Sequence, residues 1–114
     1  MPARIKKTGE SSVSKRRLAA LIEEATVDCH DESEAVTGFA TMIEEHLALP
    51  FSTLVLGVEV SVTDIGLTER EEIVAVCTRG KHRQRIPICE VPLPSPPPSG
   101  AEWIEAYRHW SGGV

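Results

Sequence analysis

The fold is decided by the stretch Leu54-Val55-Leu56-Gly57-Val58-Glu59-Val60-Ser61-Val62. It is rich in apolar and β-branched residues, and toward its end apolar and polar residues alternate with the period of a half-buried strand. The chain before this stretch carries its apolar residues at helical spacing instead. The sequence therefore changes from helix to sheet here, and we predict strand structure over residues 53–63.

Two helices are predicted before this strand. The first spans residues 15–26, with Ser14 as its N-cap and apolar residues at i, i+3, i+4 and i+7. The second begins after Asp31, because Glu34 stands three residues further on in a capping arrangement. Gly38 lies inside the second helix, where glycine costs about 1 kcal/mol relative to alanine. We therefore expect Gly38 to pack closely against another element.

Two further strands are predicted after it, over residues 72–79 and 82–91, joined as a hairpin by Arg79-Gly80-Lys81. Residues 92–99 contain five prolines. Proline breaks both helices and ladders, so this segment is predicted to be an extended strap. A final helix is predicted over residues 101–110, with both tryptophans and the only tyrosine on one face.

The length of 114 residues fits one domain. We predict an α+β domain over residues 14–114, after a disordered tail at 1–13. It comprises an N-terminal helical pair, a small bent antiparallel sheet with an SH3-like barrel as one form of it, the proline strap and a short C-terminal helix. No apolar run approaches the roughly 20 residues of a membrane span, and the N-terminus lacks the apolar core of a signal peptide. We therefore expect a cytoplasmic protein with no membrane partner.

The acidic residues are distributed unevenly along the chain. Residues 18–69 contain eleven Asp and Glu and no Lys or Arg, so this window has a formal charge of −11. The whole chain carries −5, so the remainder carries +6. Clustered like charges destabilise a compact state unless counter-charges or a cation lie nearby. The window is thus the main candidate for a functional surface.

Several function classes lack support in the sequence. There is no GxSxG motif and no glycine-rich phosphate loop, so we predict no enzyme, no catalytic residues and no organic cofactor. The three cysteines and four histidines show no paired spacing of a structural zinc site. The negative net charge argues against nucleic acid as the main partner.

The acidic residues at the start of the second helix are candidate ligands of Ca²⁺. Four of them stand within seven residues: Asp28, Asp31, Glu32 and Glu34. A loop that enters a helix supplies both carboxylate and carbonyl oxygens, which are the ligands of Ca²⁺. The segment is not an EF-hand, because, counting from Asp28, Ser33 replaces the glycine of position 6 and Phe39 the glutamate of position 12.

Glu44 and Glu45 form a second pair of candidates. They lie about ten residues beyond Glu34, hence about 15 Å along a helix. They cannot share an ion with Glu34 unless another element folds over, so the spacing predicts either two sites or one site closed by a further element. On these residues alone, a solvated acidic face without an ion is the favoured interpretation.

A family resemblance adds to this interpretation. Its motifs occur in the order Val27-Asp28, Glu34, Gly38, Glu44-Glu45, Leu47-x-x-Pro50-Phe51, Gly57-x-x-Val60, Val91-Pro92-Leu93-Pro94 and Trp103…Tyr107-Arg108-x-Trp110. Together they resemble the cyanobacterial calcium-binding protein (CcbP) family over residues 18–110. Its members are small acidic proteins that bind Ca²⁺ without EF-hands, as intracellular buffers or sensors. The resemblance implies Ca²⁺ as the ligand and, as the better candidates to bind it, Asp28, Glu34, Glu44 and Glu45.

The alternative function belongs to another class. Arg83 and Arg85 alternate onto one strand face beside Arg79 and Lys81, which gives a basic hairpin. A small module that binds protein or RNA through this hairpin, or through the aromatic face of the C-terminal helix, would need no metal.

Overall fold

The computed structural model describes residues 13–112. Its elements are α1 (Lys15–Ala25), α2 (Glu32–His46), β1 (Phe51–Val55), β2 (Val58–Leu67), β3 (Ile73–Arg79), β4 (His82–Pro87), a 3₁₀ turn (Ile88–Glu90) and α3 (Glu102–Trp110). The predicted α+β architecture is confirmed. The predicted tail lies outside the described residues except for Val13, which is partly buried against the core. No helix within residues 13–112 has the length and apolar content needed to cross a bilayer.

Both N-terminal helices begin where their capping residues predict. The Ser14 hydroxyl accepts a hydrogen bond from the Arg17 backbone N–H at 3.1 Å and so caps α1. Asp31 caps α2 in the same way. The expected close approach at Gly38 is also present, since a Cβ at this position would overlap the carbonyl oxygen of Ala25 at the end of α1.

The strand predicted over residues 53–63 is divided into two. Leu56 and Gly57, at φ +52° and +77°, form a two-residue turn between β1 and β2, and Val55 pairs with Val58. Positive φ at both central residues is typical of a type I′ turn, for which Asn-Gly or Asp-Gly is the usual signal. The turn escaped prediction because a leucine stands at its first position, inside an apolar run.

The four strands form one antiparallel sheet in the order β1-β2-β3-β4. The predicted hairpin at Arg79-Gly80-Lys81 is confirmed, with Arg79 paired to His82. An irregularity between Val62 and Asp64 shifts the register of β2 against β3 and bends the strand. Within the described residues β1 and β4 lie at opposite edges, so the sheet is open and the SH3-like barrel is not formed. The last strand ends at Pro87 rather than at residue 91.

The core lies between one face of the sheet and the three helices. Val62, Ala75 and Cys77 point from the sheet into it and are at most 3% exposed. The aromatic face of α3 belongs to this core, because Phe39 of α2 contacts the rings of both Tyr107 and Trp110. The structure therefore places these aromatic side chains against the protein's own interior, which removes the main reason to regard them as a partner-binding face.

The proline segment runs across the β1 edge as an irregular strap. The Thr53 hydroxyl donates to the carbonyl of Pro92 at 2.5 Å. The Arg108 guanidinium of α3 donates to the carbonyl of Val91 at 2.6 Å, at the start of the segment. At its other end the Ala48 N–H donates to the carbonyl of Ser99 at 2.8 Å. The strap thus connects the sheet edge to the helical layer.

Candidate functional site

Two of the candidate carboxylates are engaged in capping α2. Oδ1 of Asp31 accepts the Glu34 backbone N–H at 2.9 Å, and Oε1 of Glu34 accepts the His30 N–H at 2.7 Å. The first bond satisfies a backbone donor in the first turn of α2, and the second satisfies one in the segment just before the N-cap. Only one oxygen of each carboxylate is used, so the second oxygen of each can bind another donor or a cation.

Asp28 and Glu32 complete the group at the helix entrance. Both side chains are exposed. Asp28 adopts φ +62° in the turn between the helices, a conformation that Asp tolerates better than most residues. Glu32 lies in the first turn of α2, where a negative charge is favourable beside the helix dipole.

The β2–β3 loop folds over this entrance. The Ser33 hydroxyl donates to Oε2 of Glu71, 38 residues further along the chain. The loop is held in shape by Thr68, whose hydroxyl accepts the backbone N–H groups of Arg70 and Glu72. Glu71 was not predicted as a site residue, because no spacing pattern in the sequence links two segments so far apart. We call this region the acidic entrance: Asp28, Asp31, Glu32 and Glu34 together with the loop residues Glu71 and Glu72.

Tyr107 reports the electrostatics of this region. Burial raises the pKa of its phenol above the usual value, and the negative charges of Cys89, Glu72 and Glu32 raise it further. Carboxylates disfavour the phenolate form because like charges repel. One carboxylate of the loop and one of α2 therefore act on the same half-buried phenol, so both segments contribute to the electrostatic potential at this residue.

Glu44 and Glu45 lie elsewhere. They are exposed in the last part of α2, while the other candidates lie at its start or before it. Neighbouring residues of a helix point in different directions, so the two side chains do not face a common point on the helix surface. The structure therefore does not bring this distal pair together with the acidic entrance.

The donor chemistry of these residues fits a hard cation, but their arrangement is not preformed. Within residues 13–112, no three His, Cys, Asp or Glu side chains are already placed to hold one metal ion. All six sequence candidates offer carboxylate oxygens, which Ca²⁺ prefers. Exposed carboxylates on flexible side chains would have to converge around an ion for it to bind.

No family model matches this chain. No curated protein matches it either. Among solved structures, the crystal structure of Anabaena CcbP is similar, with a TM-score of 0.66 and 16% sequence identity. The match covers 89% of this chain and 94% of that chain. A likeness at this identity shows a shared fold over nearly the full length of both proteins.

Proposed function

We propose that this protein binds Ca²⁺ reversibly through the carboxylates of its acidic entrance. The observation that carries the proposal is the contact between Ser33 and Glu71, which adds a loop carboxylate to the four acids already clustered at the start of α2. The shared fold with Anabaena CcbP supports the same function, because the CcbP family resemblance implied calcium. Binding would relieve the repulsion between these like charges.

The caps determine which oxygens are available. Asp31 binds the Glu34 N–H through Oδ1, and Glu34 binds the His30 N–H through Oε1. Oδ2 of Asp31 and Oε2 of Glu34 therefore remain for an ion. Asp28 and Glu32 are exposed and can rotate toward the same point, while Glu71 is held by Ser33 through Oε2 and keeps Oε1 for an ion. Because the carboxylates must first be gathered, and because the positive end of the helix dipole opposes a cation here, we expect weak affinity, with a Kd of about 10⁻⁴–10⁻³ M.

The distal pair is proposed as a separate, weaker site. Glu44 and Glu45 lie at the end of α2 where the helix dipole is negative and attracts cations. They supply only two carboxylates that point apart, so most ligands would have to be water. We expect this pair to contribute less to Ca²⁺ binding than the acidic entrance.

The proposal predicts a calorimetric response to Ca²⁺ that depends on carboxylate charge. Chelator-treated protein titrated with Ca²⁺ should release or absorb heat, and its Tm should rise at millimolar Ca²⁺ because the ion binds only the folded state. Glu32→Gln with Glu71→Gln should weaken binding about tenfold or more. Mg²⁺ should bind more weakly, because Mg²⁺ demands a rigid octahedral site and gives up its water reluctantly.

Two controls separate ion binding from helix capping. Asp31→Asn retains a side-chain oxygen that can cap α2, so it should lower Ca²⁺ affinity with little change in stability. Asp31→Ala should in addition lose about 1 kcal/mol of stability. Glu44→Gln with Glu45→Gln removes the same charge from the distal end and should leave most of the heat intact. Absence of heat and of a Tm shift at millimolar Ca²⁺ would exclude the proposed function.

The only tyrosine provides a second prediction. Saturating Ca²⁺ at the acidic entrance should lower the pKa of Tyr107, because the ion offsets the negative charges of Glu32 and Glu72 that raise it. Ultraviolet absorbance of the phenolate during an alkaline titration, in carbonate-free buffer, measures this shift. Glu32→Gln should also lower the pKa of Tyr107, even without Ca²⁺, whereas Glu44→Gln should not. If the pKa of Tyr107 is the same with and without Ca²⁺, this would argue against an ion at this end of α2.

A further inference from the structure

The tips of the two hairpins carry an apolar groove. It lies on the same face of the sheet as buried Cys77, has a volume of about 450 Å³, and its apolar walls include Val55, Val58, Val60 and Ile86. Val58 is 44% exposed, and Leu56 at the adjacent turn is 98% exposed. The core-facing side of the sheet therefore continues into solvent at this end instead of being covered by the helices.

The rim of the groove is basic. Arg79, His82 and Arg83 line it, and none of its lining residues is acidic. The Arg79 guanidinium donates to the backbone carbonyl of Glu59 at 2.9 Å. The side chains of Lys81 and Arg83 form no hydrogen bond or ion pair with any residue from 13 to 112. The salt bridge found in this part of the chain joins Arg17 to Glu102 instead.

Arg83 and Arg85 lie near acidic residues but are not paired with them. Both line a surface depression with Asp64, and Arg85 lines a second one with Glu69 and Glu72 of the β2–β3 loop. None of these acids is within ion-pair distance of either arginine in the described part of the chain. The positive charges of Arg83 and Arg85 therefore remain available to an added carboxylate.

The outer edge of β4 lies next to the groove and is open. Arg79 and His82 flank a two-residue turn and form its hydrogen-bonded pair, and such pairs alternate along an antiparallel ladder. The backbone N–H and C=O groups of Arg83 and Arg85 therefore point away from β3. No described strand pairs with them. An added strand would find donors and acceptors at both residues.

We propose that this edge and groove bind an extended acidic segment of another protein, in which acidic and apolar residues alternate. Residues directly opposite in paired strands lie on the same face. Residues opposite Gln84 and Ile86 would thus enter the groove and should be apolar. Residues opposite Arg83 and Arg85 would lie on the other face and should be acidic. Backbone hydrogen bonds give affinity in this mode of binding, and the alternating side chains give specificity.

Other occupants fit less well. Single-stranded RNA usually stacks its bases on aromatic side chains, and the groove lining contains none except His82. Residues 1–12 of the chain itself carry three Lys and Arg and a single Glu, so their charge does not complement the rim. The acids at 23–45 of a second copy lie mainly on helices or in the turn between them and are not extended.

The test is a binding titration with a defined peptide at physiological ionic strength. The probe is a fluorescein-labelled octapeptide in which Glu alternates with Val or Ile. Its binding is measured as the increase in fluorescence anisotropy when the protein is added. We expect Arg83→Glu to weaken binding at least tenfold. Arg16→Glu makes the same charge change at an exposed position of α1 and should leave binding within about twofold. Val58→Ser should weaken binding through the groove without altering the charge.

Three outcomes would overturn the proposal. The first is absence of binding at millimolar protein. The second is equal binding of a peptide with the same composition but with its Glu and apolar residues in two blocks, since simple charge attraction does not depend on alternation. The third is tighter binding of single-stranded RNA of the same charge, which would assign the hairpin to nucleic acid. Selective binding of the alternating peptide, lost in Arg83→Glu and Val58→Ser, would support it. Calcium plays no part in this site, so its result is independent of the proposed function.

Discussion

Gly100→Ala should lower the free energy of unfolding by about 2–6 kcal/mol, a large fraction of the roughly 5–15 kcal/mol of a typical domain. Gly100 lies between the strap and α3, at φ +89°. A Cβ there would overlap the carbonyl oxygen of His46 and lie 2.7 Å from the Cα of Leu47. These are backbone atoms at the end of α2, so they cannot rotate away as a side chain would. Overpacking of about 1–3 kcal/mol adds to backbone strain of about 1–3 kcal/mol.

Gly80→Ala is the matched control for this effect. Gly80 also has positive φ, at +59°, but a Cβ there would meet no atom within 4 Å. It should therefore cost about 1 kcal/mol, from backbone strain alone. Urea unfolding of both variants measures the difference, with an unchanged m-value showing that the folded and unfolded states remain comparable. Equal midpoints for the two variants would contradict the close contact between α3 and the end of α2.

Gly38→Ala should destabilise the protein by about 2 kcal/mol even though alanine is the better helix former. Alanine gains about 1 kcal/mol of helix propensity over glycine. Its methyl group, however, would overlap the carbonyl oxygen of Ala25, so α1 and α2 would have to move apart. Overpacking against a backbone atom costs about 3 kcal/mol at the upper end of its usual range, which exceeds the gain.

Thr41→Ala supplies the control within the same helix. Thr41 is exposed and its hydroxyl donates only to the carbonyl of Thr37, at 3.0 Å. Alanine at this position should be neutral or stabilise α2 by a few tenths of a kcal/mol. In thermal unfolding, Gly38→Ala should lower the Tm and Thr41→Ala should leave it unchanged or raise it, if the contact at Gly38 is tight. A stabilised Gly38→Ala protein would mean that the two helices pack more loosely than in this structure.

The elements that the sequence predicts well are those fixed by local chemistry. Ser14 and Asp31 start their helices with their own side chains, so their positions can be inferred from a few residues. The close packing at Gly38 was also predictable, because glycine inside a helix is less stable than alanine and is expected mainly where another element comes too close for a Cβ. The turn at Leu56-Gly57 was missed because its conformation depends on pairing between β1 and β2, while leucine gives no turn signal.

The candidate site was predictable only in part, and for a related reason. Asp28, Asp31, Glu32 and Glu34 are neighbours in sequence, so their clustering follows from the chain itself. Glu71 joins them through its tertiary contact with Ser33, which no spacing reveals, and Glu72 follows it in the same loop. The structure also shows that Asp31 and Glu34 act as caps, a role that a count of charges does not distinguish from ligand binding.

The two edges of the sheet differ in how they meet other copies of the same molecule. The strap lies beside β1 and obstructs that edge, whereas no described strand lies beside the outer edge of β4. Two copies joined edge to edge through β4 would expose only their obstructed β1 edges, which disfavours growth into a fibre. Such a pair would also place Arg83 and Arg85 of each copy beside those of the other, where like charges repel. The same cations that attract an acidic strand thus discourage self-association.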